Sequence, residues 1–455
     1  MTHTTDAKKE YWQFLNVAAG VAALLIAMEL SNSHRFLAGL IVLAVAAAGY
    51  FLTVLFLYDR NWLDLRAVFA AVWLFSIGIG QLRLLSYQPL WQRKTWYCLA
   101  LAYAAFELGV PVGMRIMEAR EKKCGRKTGK RIVELHEERL FYICLFVTLI
   151  GFTCFLITYR MVGFLPLFPP EGSDYSYVDF YTRFHVFSVA STVISGLCYY
   201  TLRTQKLNGL KKAALLLCIV YETFVFPLLT VSRGTFLISS VPLTVTIFFL
   251  EKKRLRILAL CLVVMVGFYL QISTGRGYSD DELETLFEPT VVETDAVSVK
   301  LSPKESFIYC YFTVSHDNFD EAVRNVTEYS HGLRELKPFA VVIRIRALRE
   351  KMDSFSHYLI REHLNTINIV GDAYYDFGII GVGIMPFLWA VAFGMIQKRY
   401  LLHATPFSLI TLGVTTTPAA LSFFSPWMSD FTQWMFWGTI LLCYIAAIWP
   451  KRKKT

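Results

Sequence analysis

The segment that decides the fold is Asn365–Gly383, NTINIVGDAYYDFGIIGVG, a polar stretch that runs directly into an apolar stretch continuing to Gln397. Within it, Asp372 and Asp376 are four residues apart, so a helix would place both carboxyl groups on one face. Asp376 also stands at the predicted start of the apolar span, where free amides and the helix dipole favour a carboxylate. Small residues follow at Gly378, Gly381 and Gly383. Since small residues allow close helix contacts in lipid, two interpretations stay open: a capped helix with a packing face, and a site closed by polar side chains.

The composition of the whole chain indicates a polytopic membrane protein. It has 455 residues, of which 55% are hydrophobic and 18% charged, a balance that is implausible for a soluble enzyme. Apolar runs of roughly 17 to 25 residues, enough to cross about 30 Å of hydrocarbon, recur from end to end. The first run lacks a small-residue cleavage site, so we do not expect a removable signal peptide. We predict an all-α protein with twelve spans, at about 11–30, 35–58, 64–83, 95–117, 140–160, 183–202, 212–231, 235–250, 256–273, 376–397, 406–424 and 431–449.

Lysine and arginine are concentrated in loops that all fall on one side of these spans, which is the cytoplasmic side under the positive-inside rule. Twelve spans then place both termini in the cytoplasm. The net charge of +10 follows from this topology and does not indicate nucleic-acid binding. We predict three consecutive parts: a bundle of spans 1–9 in residues 1–273, an extracytoplasmic loop domain in 274–375, and spans 10–12 with a cytoplasmic tail in 376–455.

The extracytoplasmic segment has the patterning of a functional domain and not that of a simple linker. Ser306–Arg324 mixes aromatic and polar residues at near-helical spacing, which predicts a helix. Leu336–Met352 alternates apolar residues with arginine and lysine, a pattern typical of a helix in the headgroup region. We expect this basic helix to lie across the mouth of the bundle.

Several ionisable residues at or inside the spans are candidates for function, because such groups are expensive in a membrane. Arg233 lies in the short connection SRG and Arg276 in the sequence TGRGY, both at the predicted outer edge and both beside glycine. A guanidinium fork suits the oxygens of a pyrophosphate, although each side chain could instead reach lipid phosphate as an exposed edge charge. Arg160, at the outer end of the fifth span, could line the same cavity or reach lipid. Glu222, in the middle of the seventh span, must pair inside the bundle or line a polar cavity.

Proton transfer near neutral pH would fall to a histidine, and four histidines lie in the outer segment. They are His316, His331, His357 and His363. His331 precedes a glycine and lies three residues before Arg334, while His363 is close in sequence to Asn365. Each could equally be a surface residue. The nine cysteines show neither C-x-x-C pairs nor histidine spacing suited to zinc, so we predict neither a disulfide framework nor a metal site.

The order of these motifs resembles that of the bacterial oligosaccharide repeat-unit polymerases, the Wzy-type O-antigen and capsule polymerases. The shared features are the outer SRG turn, the TGRGY sequence after the next outward span, one large outer loop, and a polar stretch ending in YYDFGIIG at Tyr374–Gly381. Related O-antigen ligases carry a His-Asn pair before their own ending. This chain has no such pair, and its nearest equivalents are His363 and Asn365.

The resemblance implies a GT-C-like architecture and a metal-independent glycosyltransferase without cofactor in the bacterial cell membrane. Such enzymes join oligosaccharides carried on undecaprenyl pyrophosphate, and a chain-length regulator is an expected partner. Catalysis would fall to Arg233 and Arg276, with His331, His363 or Asp376 orienting or deprotonating the acceptor. The expected substrate-binding residues are Arg160, Arg334, Asn365, Asn368, Asp372, Tyr374 and Tyr375. Two alternatives stay open: a ligase with the same donor chemistry, and a flippase or transporter for the lipid-linked unit.

Overall fold

The computed structural model of the protein describes residues 2–57, 63–127, 135–168, 182–251, 280–290, 292–294, 297–343 and 357–449, with residues 256, 259–261, 263–265, 267–268, 350–352 and 355 between them. Regular structure in these parts is helical, apart from an antiparallel hairpin of Val292–Thr294 (β1) and Val297–Val299 (β2), in which Val292 lies opposite Val299. The helices are α1 Thr2–Asn32, α2 Phe36–Leu57, α3 Leu65–Gly80, α4 Arg93–Lys127, α5 Leu140–Val162, α6 Arg183–Ser191, α7 Ile194–Thr204, α8 Gly209–Val220, α9 Phe226–Leu229, α10 Arg233–Leu250, α11 Asp280–Phe287, α12 Pro303–Asn325, α13 Lys337–Ile343, α14 Gly371–Leu402, α15 Pro406–Ala420 and α16 Phe431–Ile448.

Nine helical segments in the described parts of the chain are long and apolar enough to cross a membrane, which confirms a multi-pass helical protein. They are Tyr11–Asn32, Phe36–Val54, Arg93–Lys123, Glu137–Val162, Arg183–Thr204, Gly209–Leu229, Arg233–Leu250, Gly371–Leu402 and Phe431–Ile448. Each matches one of the twelve predicted spans. The predicted span 64–83 is a 16-residue helix, α3, and the predicted span 406–424 is the 15-residue α15. Half of the predicted span 256–273 lies outside the described residues, so the count of twelve stays a prediction.

The chain forms two compact units, and each combines several separate stretches of sequence. Unit 1 comprises Met1–Ala119, Tyr278–Lys398 and Pro418–Phe431, and unit 2 comprises Arg120–Gly277, Arg399–Thr417 and Thr432–Thr455. In unit 1, the predicted extracytoplasmic segment packs together with the first helices of the chain. The sequence predicted a division into three consecutive parts, 1–273, 274–375 and 376–455. The two compact units divide the chain differently, and the three-part division stays a prediction.

In unit 1, α4 and α14 run parallel and in close contact. Lys94 Nζ lies 5.4 Å from the centre of the Tyr374 ring near the start of both helices, and Lys398 Nζ lies 2.9 Å from Glu118 Oε2 near their ends. Between these points the backbones touch at glycines: a Cβ added at Gly394 would overlap the Val110 carbonyl oxygen. Glycine is therefore required where the two helices are closest.

Helix α14 begins at Gly371, five residues before the start predicted at Asp376. A turn at Asn368 leads into the helix: its carbonyl oxygen accepts from Gly371 N at 2.9 Å, and its side-chain oxygen accepts from Val370 N at 3.3 Å. Asp376 consequently lies inside the helix and is not its cap. The helix breaks at Gly378, whose φ of 61° and ψ of −145° suit glycine.

The predicted helix at Ser306–Arg324 is confirmed as part of α12. It starts with a capping box, in which Ser302 Oγ accepts from Glu305 N and the Glu305 carboxylate accepts from Ser302 N. Its apolar side packs into a buried cluster with α11 and with residues before α4 and α14. The cluster consists of Leu84, Leu85, Leu283, Phe287, Phe307, Tyr309, Cys310, Val314 and Leu364. The remaining faces of α12 carry polar side chains into the interior of unit 1, which places several candidate residues at the core.

Unit 2 is built around α5 to α10. The helical run Gly209–Leu229 is interrupted by a π-helical turn at Tyr221–Val225, between α8 and α9. The connection from α9 to α10 is only Thr230–Ser232. Val231 has a φ of 48°, and Ser232 Oγ accepts from Thr235 N at 3.2 Å as the cap of α10. This tight turn fixes the direction in which the first residue of α10, Arg233, enters the unit.

Candidate functional site

A turn at residues 330–335 of unit 1 is held on the first part of α14 by the buried carboxylate of Asp376. Asp376 Oδ1 accepts from Arg334 N at 3.1 Å and from the Ser330 hydroxyl, and Oδ2 accepts from Glu335 N at 2.9 Å. The main chain adds two bonds, from Ser330 N to the Tyr375 carbonyl and from His331 N to the Asp376 carbonyl. A carboxylate with several such donors is held firmly, so Asp376 acts here as the anchor of the turn.

The anchored turn places Arg334 in a mostly polar surrounding. Its side chain is 7% exposed, and its guanidinium carbon lies 3.8 Å from the centre of the Tyr375 ring, a cation–π contact. Nη1 lies 3.7 Å from Asp372 Oδ1 and 3.1 Å from His357 Nδ1. The guanidinium is thus held over an aromatic face, and its ion pair with Asp372 is long at 3.7 Å.

A half-open pocket of about 430 Å³, including the solvent at its mouth, lies beside this arginine. Its lining consists of Val326, Thr327, Glu328, Ser330, Arg334, Phe355, Tyr358 and Tyr375. Tyr358 N donates to the Tyr375 hydroxyl at 2.9 Å, and the two rings are stacked with centres 6.5 Å apart. The pocket thus combines an arginine, the carboxyl group of Glu328, hydroxyl groups and aromatic faces, a lining suited to a polar ligand.

Glu335, next to the arginine in sequence, is a carboxyl group in an unfavourable place for a charge. Burial, with a further contribution from Asp372 and Asp376, raises its pKa to about 9. At neutral pH this side chain is therefore protonated and adds no negative charge beside the pocket.

Below the turn, His316 of α12 joins a buried polar network with α3 and the segment before α14. Asn368 Nδ2 donates to His316 Nδ1 at 3.2 Å, and Ser76 Oγ lies 2.9 Å from Nε2. Because Asn368 Nδ2 can only donate, Nδ1 of the neutral ring accepts, and Nε2 carries the imidazole proton and donates it to Ser76 Oγ. Burial lowers the pKa of His316 to about 3, so the ring stays neutral. In the structure, Asn368, expected to bind substrate, is therefore buried and holds His316 and the turn before α14.

Two buried carboxyl groups of α12 were missed by the sequence analysis. Asp317 accepts from Trp91 Nε1 and Gln88 Nε2, each at 2.8 Å, while Asp320 accepts from Gln92 N at 2.8 Å. Burial raises the pKa of Asp317 to about 7. The available signal was the polar run SHDNFD between the apolar stretches of this helix, since a helix packed on several sides has to bury such residues with hydrogen-bond partners.

The other predicted residues of unit 1 are separated from the pocket to different degrees. His331 is exposed at the tip of the turn with a φ of 51°, and His363 and Asn365 are exposed on the segment before α14. Tyr374 is buried, and its hydroxyl donates to the Val323 carbonyl at 3.4 Å. Of the predicted set, the structure brings together Arg334, Asp372, Tyr375 and Asp376, and His357 joins them. In the basic segment Leu336–Met352, helix is present at Lys337–Ile343 and again at 350–352, and residues 344–349 lie outside the described residues.

The remaining predicted residues belong to unit 2. Arg233 is the first residue of α10 and is only 5% exposed, so the expectation of an exposed edge charge is wrong. Arg160, in the last turn of α5, is exposed. Arg276 lies outside the described residues. The tight turn at Val231 explains the difference for Arg233, because it directs the chain back into the unit immediately before this residue.

No family model, no curated protein and no solved structure matches this chain.

Proposed function

We propose that this protein is a membrane glycosyltransferase that joins oligosaccharide units carried on undecaprenyl pyrophosphate into a surface polysaccharide. The observation that carries the proposal is the buried guanidinium of Arg334, held over the Tyr375 ring beside a polar pocket. A membrane protein that acts on a lipid-linked sugar needs such a group, because the leaving lipid pyrophosphate is anionic and guanidinium binds its oxygens as a fork.

The direction of the helices supports a site on the outer face. Helices α4 and α14 run parallel, and both end in basic sequence, at 120–127 and at 398–399. Under the positive-inside rule those ends are cytoplasmic. The pocket lies beside the opposite end of α14, which this orientation assigns to the outside, where finished lipid-linked units are available for polymerisation.

The proposed reaction is a displacement at the anomeric carbon of the donor sugar. An acceptor hydroxyl forms the new carbon–oxygen bond, the bond to pyrophosphate breaks, and the lipid pyrophosphate leaves with the bonding electron pair. Arg334 stabilises the charge that develops on the leaving group. The acceptor proton passes to a histidine, and His357, whose Nδ1 lies 3.1 Å from Arg334 Nη1, is placed for this step. Asp376 is less suited to this step because its oxygens already accept three hydrogen bonds.

A transporter of the lipid-linked unit is the second candidate, and one observation favours it. Ionisable side chains are buried in or beside the apolar helices, namely Asp64 and Arg66 at the start of α3, Glu107 in α4, and Glu222 between α8 and α9. Buried charges of this kind are expected along a polar path through a membrane. A ligase, with the same donor chemistry but a different acceptor, stays a third possibility.

The test uses purified protein in proteoliposomes with an undecaprenyl-pyrophosphate-linked oligosaccharide, and chain length is read from a gel. Arg334→Lys keeps the charge but loses the fork, so we expect about a hundred- to thousandfold loss of rate. Arg93→Gln is the matched control. This arginine lies at the first turn of α4, is 65% exposed, and makes only a 3.7 Å pair with Glu29, so its loss should leave the ladder unchanged.

Each result separates the candidates. A normal ladder from Arg334→Lys would remove this arginine from the reaction. A single transfer to an acceptor that is not lipid-linked would identify a ligase. Movement of the intact lipid-linked unit across the bilayer, without a new glycosidic bond, would identify a transporter.

A further inference from the structure

Glu222 of unit 2 lies within a membrane-spanning segment and has no exposed surface. It belongs to the π-helical turn Tyr221–Val225, at which the regular helix of the segment is interrupted. Turns of this type occur often at functional sites. A carboxyl group at this position must pair inside the bundle or line a polar cavity, and its surroundings distinguish these cases.

The hydrogen atoms around Glu222 can be counted from the distances. Ser191 Oγ lies 2.8 Å from the Ser188 carbonyl oxygen and 3.1 Å from Glu222 Oε2. A serine hydroxyl has one hydrogen, and the carbonyl oxygen can only accept it. When that hydrogen is given to Ser188 in the shorter contact, Ser191 Oγ accepts, and the hydrogen of the second contact must come from Glu222.

No cation compensates an ionised Glu222 among the described residues of this unit. The groups that act on the carboxyl are Ser191, Thr148 and Cys218, and Arg233 at the start of α10 is not one of them. The other carboxyl oxygen of Glu222, Oε1, is buried and has no hydrogen-bond partner among the described residues. An unpaired carboxylate is strongly disfavoured in such a place, so the neutral acid is favoured.

The space for this arrangement is provided by α5. A Cβ added at Gly151 would overlap Ser191 Oγ and would lie 3.7 Å from Glu222 Oε1. Glycine at this position therefore lets the serine approach the carboxyl group. Cys218 of α8 is the titratable side chain that acts on the carboxyl group. The arginines and lysines of the surrounding helices, Arg160, Arg183, Arg203, Lys211, Lys212 and Arg233, lie at or near helix ends and are not among the groups that act on it.

We propose that Glu222 is a proton-binding site inside the membrane, which holds an exchangeable proton at neutral pH and donates it to Ser191 Oγ. The ligand is a proton, held between one carboxyl oxygen and one hydroxyl oxygen. Glu222 is part of the π-helical turn Tyr221–Val225. Because an ionised carboxylate would need new hydrogen-bond donors, loss of the proton should change the geometry of this turn. The site does not depend on the proposed glycosyltransferase activity.

Infrared difference spectroscopy of the purified protein tests this directly. The spectrum of the wild type minus Glu222→Gln at neutral pH should contain the C=O stretch of one protonated carboxyl group, shifted in D2O if the proton exchanges. Gln has the size and hydrogen-bonding ends of the neutral acid, so this variant should fold. The matched control is Asp64→Asn. The Asp64 carboxylate forms two 3.0 Å bonds with the Arg66 guanidinium, so its difference spectrum should contain carboxylate bands.

Carboxylate bands in the Glu222 difference spectrum would overturn the proposal, as would a protonated band that does not shift in D2O. Ser191→Ala keeps the carboxyl group and removes its acceptor, so the C=O band should move without disappearing; an unmoved band would contradict the assigned partner. A thermal midpoint raised by Na+ over choline at equal ionic strength, in the wild type but not in Glu222→Gln, would identify a metal cation as the ligand instead.

Discussion

Replacing Asp376 with Asn should release the turn at residues 330–335 while α14 itself stays intact. The wild-type carboxylate accepts from two backbone amides and one hydroxyl, all of them buried or half-buried. Asn keeps one acceptor oxygen, but its NH2 group meets an N–H or O–H donor where the second oxygen was. At least one hydrogen bond to a charged acceptor is lost, and such bonds contribute about 1.5 to 3 kcal/mol.

That loss can be translated into a local measurement. Opening of a turn is governed by its own free energy and not by that of the whole protein. A change of 1.5 to 3 kcal/mol therefore corresponds to roughly ten- to a hundredfold faster amide exchange. Hydrogen–deuterium exchange with mass spectrometry should show this increase in peptides that contain Arg334 and Glu335, whose amides bind the carboxylate. Peptides from the second half of α14 should be unaffected.

Asp372→Asn is the matched control for this experiment. Asp372 lies four residues earlier on the same helix face, yet its carboxylate makes a 3.7 Å ion pair with the Arg334 side chain and holds no amide of the turn. Exchange at the turn should stay within a fewfold of the wild type. Equal exchange rates in Asp376→Asn and the wild type, or equal acceleration by both variants, would refute the anchoring role of Asp376.

Two further predictions follow from the same unit. The pKa of Glu335 is raised from 4.5 to about 9, so the native state retains a proton that the unfolded chain releases, and stability should fall as pH rises from about 4.5 to about 9. Glu335→Gln should remove this slope in thermal midpoints measured across the window; an unchanged slope would assign it to other groups. Gly394→Ala should lower the midpoint by separating α14 from α4, because the new methyl group would overlap a backbone carbonyl. Gly383→Ala is its control, since an added Cβ there is 3.4 Å from a flexible leucine side chain, and equal midpoints for the two variants would contradict the close packing.

The sequence by itself determined the class of the protein and most of its elements. The lengths of the apolar runs predicted nine spans that the structure confirms, because crossing hydrocarbon requires a local run of apolar residues whatever the neighbouring helices are. The helix at Ser306–Arg324 was predictable because its signals are also local in sequence. They are the near-helical spacing of its apolar residues and the Ser-Pro-x-Glu motif at its start. The sequence likewise singled out Asp372 and Asp376 as neighbours on one helix face.

Only the tertiary structure decided what those side chains do. Asp376 binds amides 41 and 42 residues away, and Asn368 binds His316 52 residues away, so no local pattern could pair them. Arg233 was expected at an exposed edge, yet a single turn of the backbone buries it. Apolar run length is a property of one segment, whereas the role of a buried polar group depends on which donor or acceptor faces it. In this chain those partners come from helices and loops that are distant in sequence and meet only within the folded unit.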